Sequence, residues 1–188
     1  MAKVIFACLV LLVVYSANGQ VAKQKWKFNS VNQAALLAGG GGDAFALQTI
    51  NGFTKNKWYA GAGVGLDLYA DRTVPVFIDI RRDLNAKNNR PFVYADMGLN
   101  FLWLNATKKA QRLSPKTSPG AYYDIGVGLK LISKNNTAVL LSAGYTLKQV
   151  KEQLRSPEMT PDPAWQNENY DRYNYIYRRF VFKFGVVF

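Results

Sequence analysis

Four aspartates and four basic residues are the side chains of this sequence that are best placed for chemistry. They are Asp67, Asp79, Asp96, Asp124, Arg81, Lys130, Arg179 and Lys183. Each lies on the polar side of a segment in which polar and apolar residues alternate, so all eight are expected to point into one shared interior. Paired carboxylates can act as general acid and base. Buried charges of opposite sign form ion pairs because an unpaired buried charge is costly, so we interpret the eight residues as a structural charge network.

The chain contains no histidine, which argues against most hydrolytic and acyl-transfer chemistry. Histidine is a frequent catalytic base, a partner of nucleophiles and a common ligand of zinc. The glycine-rich run Gly61 to Gly65 places glycine at every second residue of a predicted strand, and no Gly-Lys-Ser/Thr follows it, so it does not match a nucleotide-binding loop. The sequence therefore predicts a protein that is not an enzyme and has neither a cofactor nor a metal site.

Residues 1–19 have the pattern of a cleaved secretory signal peptide. A short positive start is followed by an unbroken apolar run from Val4 to Val14, which is too short to span a bilayer as a helix. Small residues at Ala17 and Gly19 occupy the positions that a signal peptidase requires. The only cysteine, Cys8, lies in this run, so the mature chain is expected to contain no disulfide.

The last residues of the chain alternate strictly between two faces. One face carries Phe180, Phe182, Phe184, Val186 and Phe188, and the other carries Arg179, Val181, Lys183, Gly185 and Val187. Such a strand fits a wall that is apolar on its outer side and polar on its inner side. Arg178 lies on the same face as these apolar residues. It is expected at the outer of the two interfaces between the membrane and water, where its long side chain can reach lipid head groups.

Segments of about ten residues recur between turn signals after residue 20, as in transmembrane β-barrels. We predict eight strands, near 26–38, 44–54, 57–70, 73–82, 91–105, 120–133, 137–150 and 172–188. Short polar turns alternate with longer connections, of which 105–119 and 151–171 are the longest. Residues 20–188 are therefore predicted to form one all-β domain, an eight-stranded antiparallel up-and-down transmembrane barrel.

Alternation by itself does not say which face points inward. A soluble lipocalin-like barrel would place the apolar face inside, whereas a membrane barrel places it outside. Glycines 61, 63, 65, 126 and 128 on the polar face favour the membrane barrel, because a narrow interior needs glycine to make room for tyrosine rings. The aromatic residues also sort into two predicted girdles. The lower one contains Trp26, Phe53, Trp58, Phe92 and Phe188, and the upper one contains Tyr69, Trp103, Tyr123, Tyr145 and Tyr173.

The strand pattern and the terminal aromatic residues resemble the small eight-stranded bacterial outer-membrane barrels, the OmpA/OmpX-like proteins. In this resemblance, Phe184, Val186 and Phe188 correspond to the C-terminal signal that the barrel-assembly machinery reads. The resemblance implies location in the bacterial outer membrane and contact with its lipids, including lipopolysaccharide. The net charge of +12 then indicates anionic head groups as partners rather than nucleic acid.

The function expected from these features is a non-enzymatic role in the envelope, either structural or in surface contact through the long extracellular loops. The loop 105–119 carries Lys108, Lys109, Arg112 and Lys116 and no acidic residue, so it is a candidate for contact with anionic surface groups. Two alternatives stay open at this point, a secreted soluble barrel that binds an apolar ligand and a narrow porin-like pore. The sequence does not identify the partner of the loops.

Overall fold

A computed structural model of the chain describes most of the residues after the predicted signal peptide. The described residues are 25–40, 42–68, 71–85, 89–104, 116–133, 137–155 and 170–188. The predicted signal peptide 1–19 lies outside them, as do Tyr69 and the segment 105–115.

The described part of the chain contains eight long strands and one short strand. They are β1 (Lys27–Ala38), β2 (Ala44–Lys55), β3 (Trp58–Leu68), β4 (Arg72–Asp83), β5 (Asn89–Trp103), the short β6 (Lys116–Ser118), β7 (Gly120–Ile132), β8 (Ala138–Arg155) and β9 (Tyr170–Val187). Each long strand pairs antiparallel with its neighbour along the chain, and β9 pairs with both β8 and β1. The sheet is therefore a closed eight-stranded barrel, and the predicted fold class is confirmed.

The two ends of the barrel differ in how the strands are joined. At one end, here called the lower end, β2 and β3 are joined by the tight turn Asn56-Lys57. Asn56 adopts a φ of 57°, the left-handed conformation that hairpin turns require and that asparagine tolerates. The upper end carries the longer connections 104–115 and 156–169.

The upper parts of β8 and β9 extend further than the sequence indicated. They stay paired up to Arg155 and Tyr170, so part of the predicted loop 151–171 is strand. The short β6 pairs with Lys151–Gln153 and continues the line of β7 along β8. Pro119 separates β6 from β7 because it has no N–H to give to the ladder, and one extra residue is accommodated there as a bulge. The predicted loop 105–119 is accordingly shorter than expected.

The two faces of each strand differ in exposure as the membrane arrangement requires. In β9, Phe182 is 57% exposed whereas the adjacent Lys183 is 4% exposed. The same alternation runs through the other long strands and surrounds the barrel with outward Leu, Ile, Val, Phe and Trp side chains. This apolar belt excludes the lipocalin-like arrangement, which would bury those faces.

Two aromatic residues do not lie where the sequence placed them. Phe92 was expected in the lower girdle, but its even position on β5 turns it into the lumen, where it is buried beside Tyr94. Tyr173 was expected in the upper girdle. It instead lies opposite Glu152 on the extension of β8 and β9. Because Tyr173 and Lys183 are an even number of residues apart on β9, Tyr173 lies on the inward side of the strand.

Glycines on the inner wall make room for rings in the lumen. A Cβ added at Gly126 would lie 2.7 Å from the ring of Tyr94, and one at Gly63 would lie 2.7 Å from the ring of Phe77. Real Cβ atoms do not approach other atoms so closely, so the rings occupy space that only glycine leaves open. The predicted role of inward glycine is therefore observed.

The apolar belt leads to a depth-dependent prediction. Ile78 points outward midway along β4, so Ile78→Arg should lower the free energy of unfolding by about 2–4 kcal/mol. Arg178→Leu, near the upper rim, should change it by only about 0–1 kcal/mol. Urea unfolding in phosphatidylcholine vesicles measures both values. If Ile78→Arg costs no more than Leu68→Arg at the end of β3, the belt does not lie in hydrocarbon.

Candidate functional site

Three carboxylates form a row across adjacent strands inside the barrel. Asp79 on β4 is the register partner of Asp96 on β5, and Asp96 is the register partner of Asp124 on β7. All three are almost completely buried. Like charges opposite each other destabilise a sheet, so the row requires cations from elsewhere in the barrel.

Lys183 of β9 supplies one of these cations. Its Nζ lies 3.2 Å from Asp96 Oδ2 and 2.9 Å from Asp124 Oδ2, and it also lies 4.3 Å from the centroid of the Tyr94 ring. The hydroxyl of Tyr94 donates a hydrogen bond of 2.9 Å to Asp124, and that of Tyr122 donates one of 3.3 Å. One ammonium group and two phenols therefore hold two carboxylates that would otherwise repel each other.

Arg81 neutralises the third carboxylate from the same strand. Residues two apart on a strand share a face, so Arg81 and Asp79 both point inward. The guanidinium donates from Nε to Asp79 Oδ1 at 3.0 Å and from Nη2 to Asp79 Oδ2 at 2.7 Å, a fork that holds the carboxylate in one orientation. Arg81 also faces the rings of Tyr59, Phe92 and Tyr94 at 5.8–5.9 Å.

The fourth aspartate pairs with a lysine that sequence reasoning missed. Asp67 of β3 forms an ion pair with Lys148 of β8 and accepts a hydrogen bond of 3.0 Å from Thr73. Lys148 lies two residues from the buried Thr146, so its position in the alternation already indicated an inward side chain. Sequence reasoning did not extend the facing assignment to β8 and left this residue out.

The remaining two predicted cations lie toward the ends of the barrel. Lys130 Nζ lies 3.9 Å from Asp83 at the lower end, where Arg90 also approaches Asp83 at 3.6 Å. Arg179, toward the upper end, donates a hydrogen bond to the carbonyl of Gly42. The structure thus brings Asp79, Asp96 and Asp124 together with Arg81 and Lys183, and it sets Lys130 and Arg179 apart from them.

Neutral polar residues connect opposite walls at the same level. Gln33 donates a hydrogen bond of 2.6 Å to Gln48, and Gln48 donates one of 3.1 Å to Tyr122. Because β2 and β7 lie on opposite sides of the closed sheet, this bond crosses the lumen. Lys148 and Asp67 make a second crossing, between β8 and β3. Side chains therefore fill the interior, as is usual in barrels of eight strands.

The chemical capacity of the lumen is limited by this pairing. Each of the four aspartates has a charged partner through at least one carboxylate oxygen, whereas Asp67 Oδ1 and Asp96 Oδ1 accept no hydrogen bond from the described residues. Within the described ranges, no group of three or more His, Cys, Asp or Glu side chains is arranged to hold a metal ion.

The other predicted site residues lie outside the lumen. Phe184, Val186 and Phe188 point outward, and Phe188 pairs through its backbone N–H and C=O with Ser30. Arg178 is exposed on the same outer face. Of the predicted anion-contact residues, Lys116 is exposed on β6, whereas Lys108, Lys109 and Arg112 lie outside the described residues.

Comparison with solved structures supports the architecture. Neisserial surface protein A overlays with a TM-score of 0.55 at 12% identity, covering 87% of this chain and 98% of that one. The fold is that of the small outer-membrane β-barrels. The outer membrane protein AlkL, solved in lipid bilayers, overlays with a TM-score of 0.51 at 11% identity, covering 91% and 92%. OprG from Pseudomonas aeruginosa has a TM-score of 0.49 at 12% identity, covering 90% and 98%.

Sequence comparison adds no relative to these structures. No protein-family model matches the chain, and no curated protein sequence matches it. No helix in the described residues is long and apolar enough to cross a membrane.

The lumen network leads to a prediction for Lys183. Lys183→Ala leaves Asp96 and Asp124 without their shared cation, so it should lower the free energy of unfolding by about 3–5 kcal/mol. Adding Asp96→Asn to this variant should recover part of the loss, because one buried charge is then removed. Lys151→Ala, on the exposed extension of β8, is the control. Unchanged urea midpoints for Lys183→Ala would contradict the network.

Proposed function

We propose that the protein is a non-enzymatic outer-membrane barrel that serves envelope integrity or surface contact through its upper end. The observation that carries this proposal is the combination of a filled lumen with a sheet that rises above the apolar belt. The first feature argues against transport and catalysis inside the barrel. The second provides a surface that a partner outside the membrane can reach. Because a fold by itself does not determine function, the proposal depends on these residues and not on the likeness to other barrels.

The filled lumen argues against the pore alternative. The bond between Gln48 and Tyr122 and the ion pair between Lys148 and Asp67 each join opposite walls. An ion would have to displace these contacts to pass. Breaking the ion pair would leave two buried charges uncompensated, and breaking the hydrogen bond would leave buried polar groups without a partner. In planar bilayers we therefore expect no steady conductance from the protein. Stable single-channel steps from purified protein would favour the narrow pore instead.

The upper sheet has the properties of a contact surface. It is formed by β6 and the extensions of β8 and β9. The rings of Tyr173 and Tyr175 stack on it at 6.2 Å with an interplanar angle of 8°, and both side chains remain about two-fifths exposed. Exposed aromatic rings on a hydrogen-bonded sheet form a rigid surface, which loses little entropy when a partner binds.

Basic residues near this sheet suggest the chemistry of the partner. Lys116 lies on β6, and the preceding segment of the sequence carries Lys108, Lys109 and Arg112. Phosphate and carboxylate groups of surface lipids or acidic glycans would complement these cations. We further propose that the upper end faces outward, because small outer-membrane barrels keep their short turns on the periplasmic side.

Binding to anionic vesicles tests the surface-contact role. The purified protein should bind vesicles with phosphatidylglycerol more strongly than vesicles of phosphatidylcholine alone. Changing Lys108, Lys109, Arg112 and Lys116 together to Ser should weaken that binding, and the difference should shrink as salt is raised. A variant that changes Lys25, Lys27, Lys55 and Lys57 to Ser removes as many charges from the lower end and is the matched control. Equal binding by the upper-end variant and the parent would refute the assignment of this loop.

A further inference from the structure

Four polar side chains form a patch on the outer, lipid-facing side of β1 and β2. They are Ser30 and Asn32 on β1 and Thr49 and Asn51 on β2, here called the β1–β2 polar patch. Ser30 is the register partner of Asn51, and Asn32 is the register partner of Thr49, so the four side chains make a continuous two-by-two cluster. They lie on the same outer side of β1 and β2 as the exposed residues Phe28, Leu36, Leu47 and Phe53.

The position of this patch is unusual within the described barrel wall. The other outward polar or charged side chains of the described strands lie near the rims or on the upper extensions of β8 and β9. They are Lys55, Arg72, Arg82, Asn89, Gln149, Lys151, Gln153, Arg172, Asn174 and Arg178. The β1–β2 polar patch instead has an apolar pair on both sides of it along the strands. Phe28 and Phe53 lie below it, with ring centroids 5.6 Å apart, and Leu36 and Phe45 lie above it.

Strand geometry places the upper half of the patch in hydrocarbon. Phe53 belongs to the lower aromatic girdle, Phe28 is its register partner at the same height, and Asn32 follows Phe28 by four residues. At ~3.3 Å per residue and a strand tilt of ~40°, Asn32 and Thr49 lie roughly 10 Å above that girdle, within a belt about 25 Å tall. An amide or hydroxyl facing lipid tails at this depth has lost its water without gaining a partner, which is costly.

No hydrogen bond inside the described chain satisfies these groups. The side chains of Asn32, Thr49 and Asn51 form none with another described residue. Lipid tails carry neither donors nor acceptors, so a surface with matching polar groups covers the patch better than lipid does.

We propose that the β1–β2 polar patch is the interface through which two copies of this chain associate in the membrane. Asn32 and Asn51 each carry both a donor and an acceptor, so two copies related by a two-fold axis present complementary groups to each other. Each amide then finds a partner at the same depth, because both barrels lie in the same bilayer. The inference depends only on the apolar belt and not on the proposed contact role of the upper end.

The wall around the patch allows close approach. Ala34 on β1 and Ala60 and Ala62 on β3 are small outward residues beside the patch, and small residues let two membrane proteins pack closely. A shallow, open depression of about 660 Å³ lies on the same wall, between Phe184 and Val186 on one side and Trp103 on the other. Asn32 and Thr49 are among its lining residues, so a second barrel that packs against this wall would contact the polar groups.

The size of the surface predicts a reversible dimer. The wall around the patch consists of four strands, β9, β1, β2 and β3, each about 4.8 Å wide. Over a belt about 25 Å tall, its projected area is roughly 480 Å². Stable interfaces bury about 800 Å² from each partner. Association should therefore depend on the protein-to-lipid or protein-to-detergent ratio rather than be permanent.

Sedimentation equilibrium in density-matched detergent micelles tests the proposal with the protein purified from membranes. The parent should show a monomer–dimer equilibrium. The dimer of the triple variant Asn32→Leu, Thr49→Val, Asn51→Leu should have a dissociation constant about tenfold higher or more. Each polar contact between two membrane proteins contributes roughly threefold in affinity. Apolar side chains suit the lipid face, so the variant should fold at least as well as the parent. Asn89→Leu with Gln149→Leu, which removes two outward polar groups away from the patch, should dimerise like the parent.

Disulfide crosslinking in phosphatidylcholine vesicles gives a second readout. In the mature chain, which is predicted to contain no other cysteine, Thr49→Cys should form a crosslinked dimer on oxidation, whereas Ile78→Cys, which points outward on β4, should stay monomeric. A parent that is monomeric at every detergent ratio would overturn the proposal. So would a patch variant that dimerises like the parent, or equal crosslinking at positions 49 and 78.

Discussion

Closure of the sheet by the pairing of β9 with β1 is the constraint from which the rest of the structure follows. Inside a bilayer no water can satisfy an open strand edge, so every backbone group of the wall must find a partner in a neighbouring strand. The pairing from Val31 with Val187 to Ala38 with Phe180 provides this closure. Once the ring is closed, each residue of the wall faces either the lumen or the lipid. A slip of one residue in any register would exchange the two faces of that strand.

The lumen shows what closure demands of the interior. A closed ring of eight strands brings Asp79, Asp96 and Asp124 into one row, and their mutual repulsion is tolerable only because Arg81 and Lys183 reach them. The rings of Tyr94 and Tyr122 fill the space left by inward glycines and donate hydrogen bonds to the same carboxylates. Stability and a filled interior are therefore two consequences of one arrangement, since the side chains that neutralise the row also occupy the lumen.

The outer surface is less uniform than the interior, and its exceptions are the two places at which we propose contact with other molecules. Most of the belt is apolar, so lipid covers it without specificity. The upper sheet with Tyr173 and Tyr175 and the β1–β2 polar patch break this rule in opposite ways. The first places apolar rings outside the belt, and the second places polar groups within it. Each arrangement costs free energy in an isolated barrel, and contact with a partner would reduce that cost.

The amino-acid pattern was enough to predict the number of long strands, their approximate positions and, for the strands whose alternation was assigned, the face on which most residues lie. These features are local, because the period of two is a property of a single strand, and Phe182 and Lys183 reveal it without reference to any other segment. The extension of β8 and β9 and the separate strand β6 escaped prediction because Pro119 and a polar composition resemble a loop. Phe92 was misplaced because residues were assigned to the girdles by their height in the barrel, without asking whether each side chain points outward or inward.

Which of the inward charges meet depends on the tertiary structure. Asp67 pairs with Lys148, which lies on the opposite wall and 81 residues away, and Lys183 lies between Asp96 and Asp124. The strands tilt and are staggered around the ring, so the height of a side chain depends on the accumulated register of all the pairs between it and its partner. Alternation within one strand contains no information about that register. For this reason the sequence identified eight inward charges and missed Lys148, but it could not assign the partner of any of them.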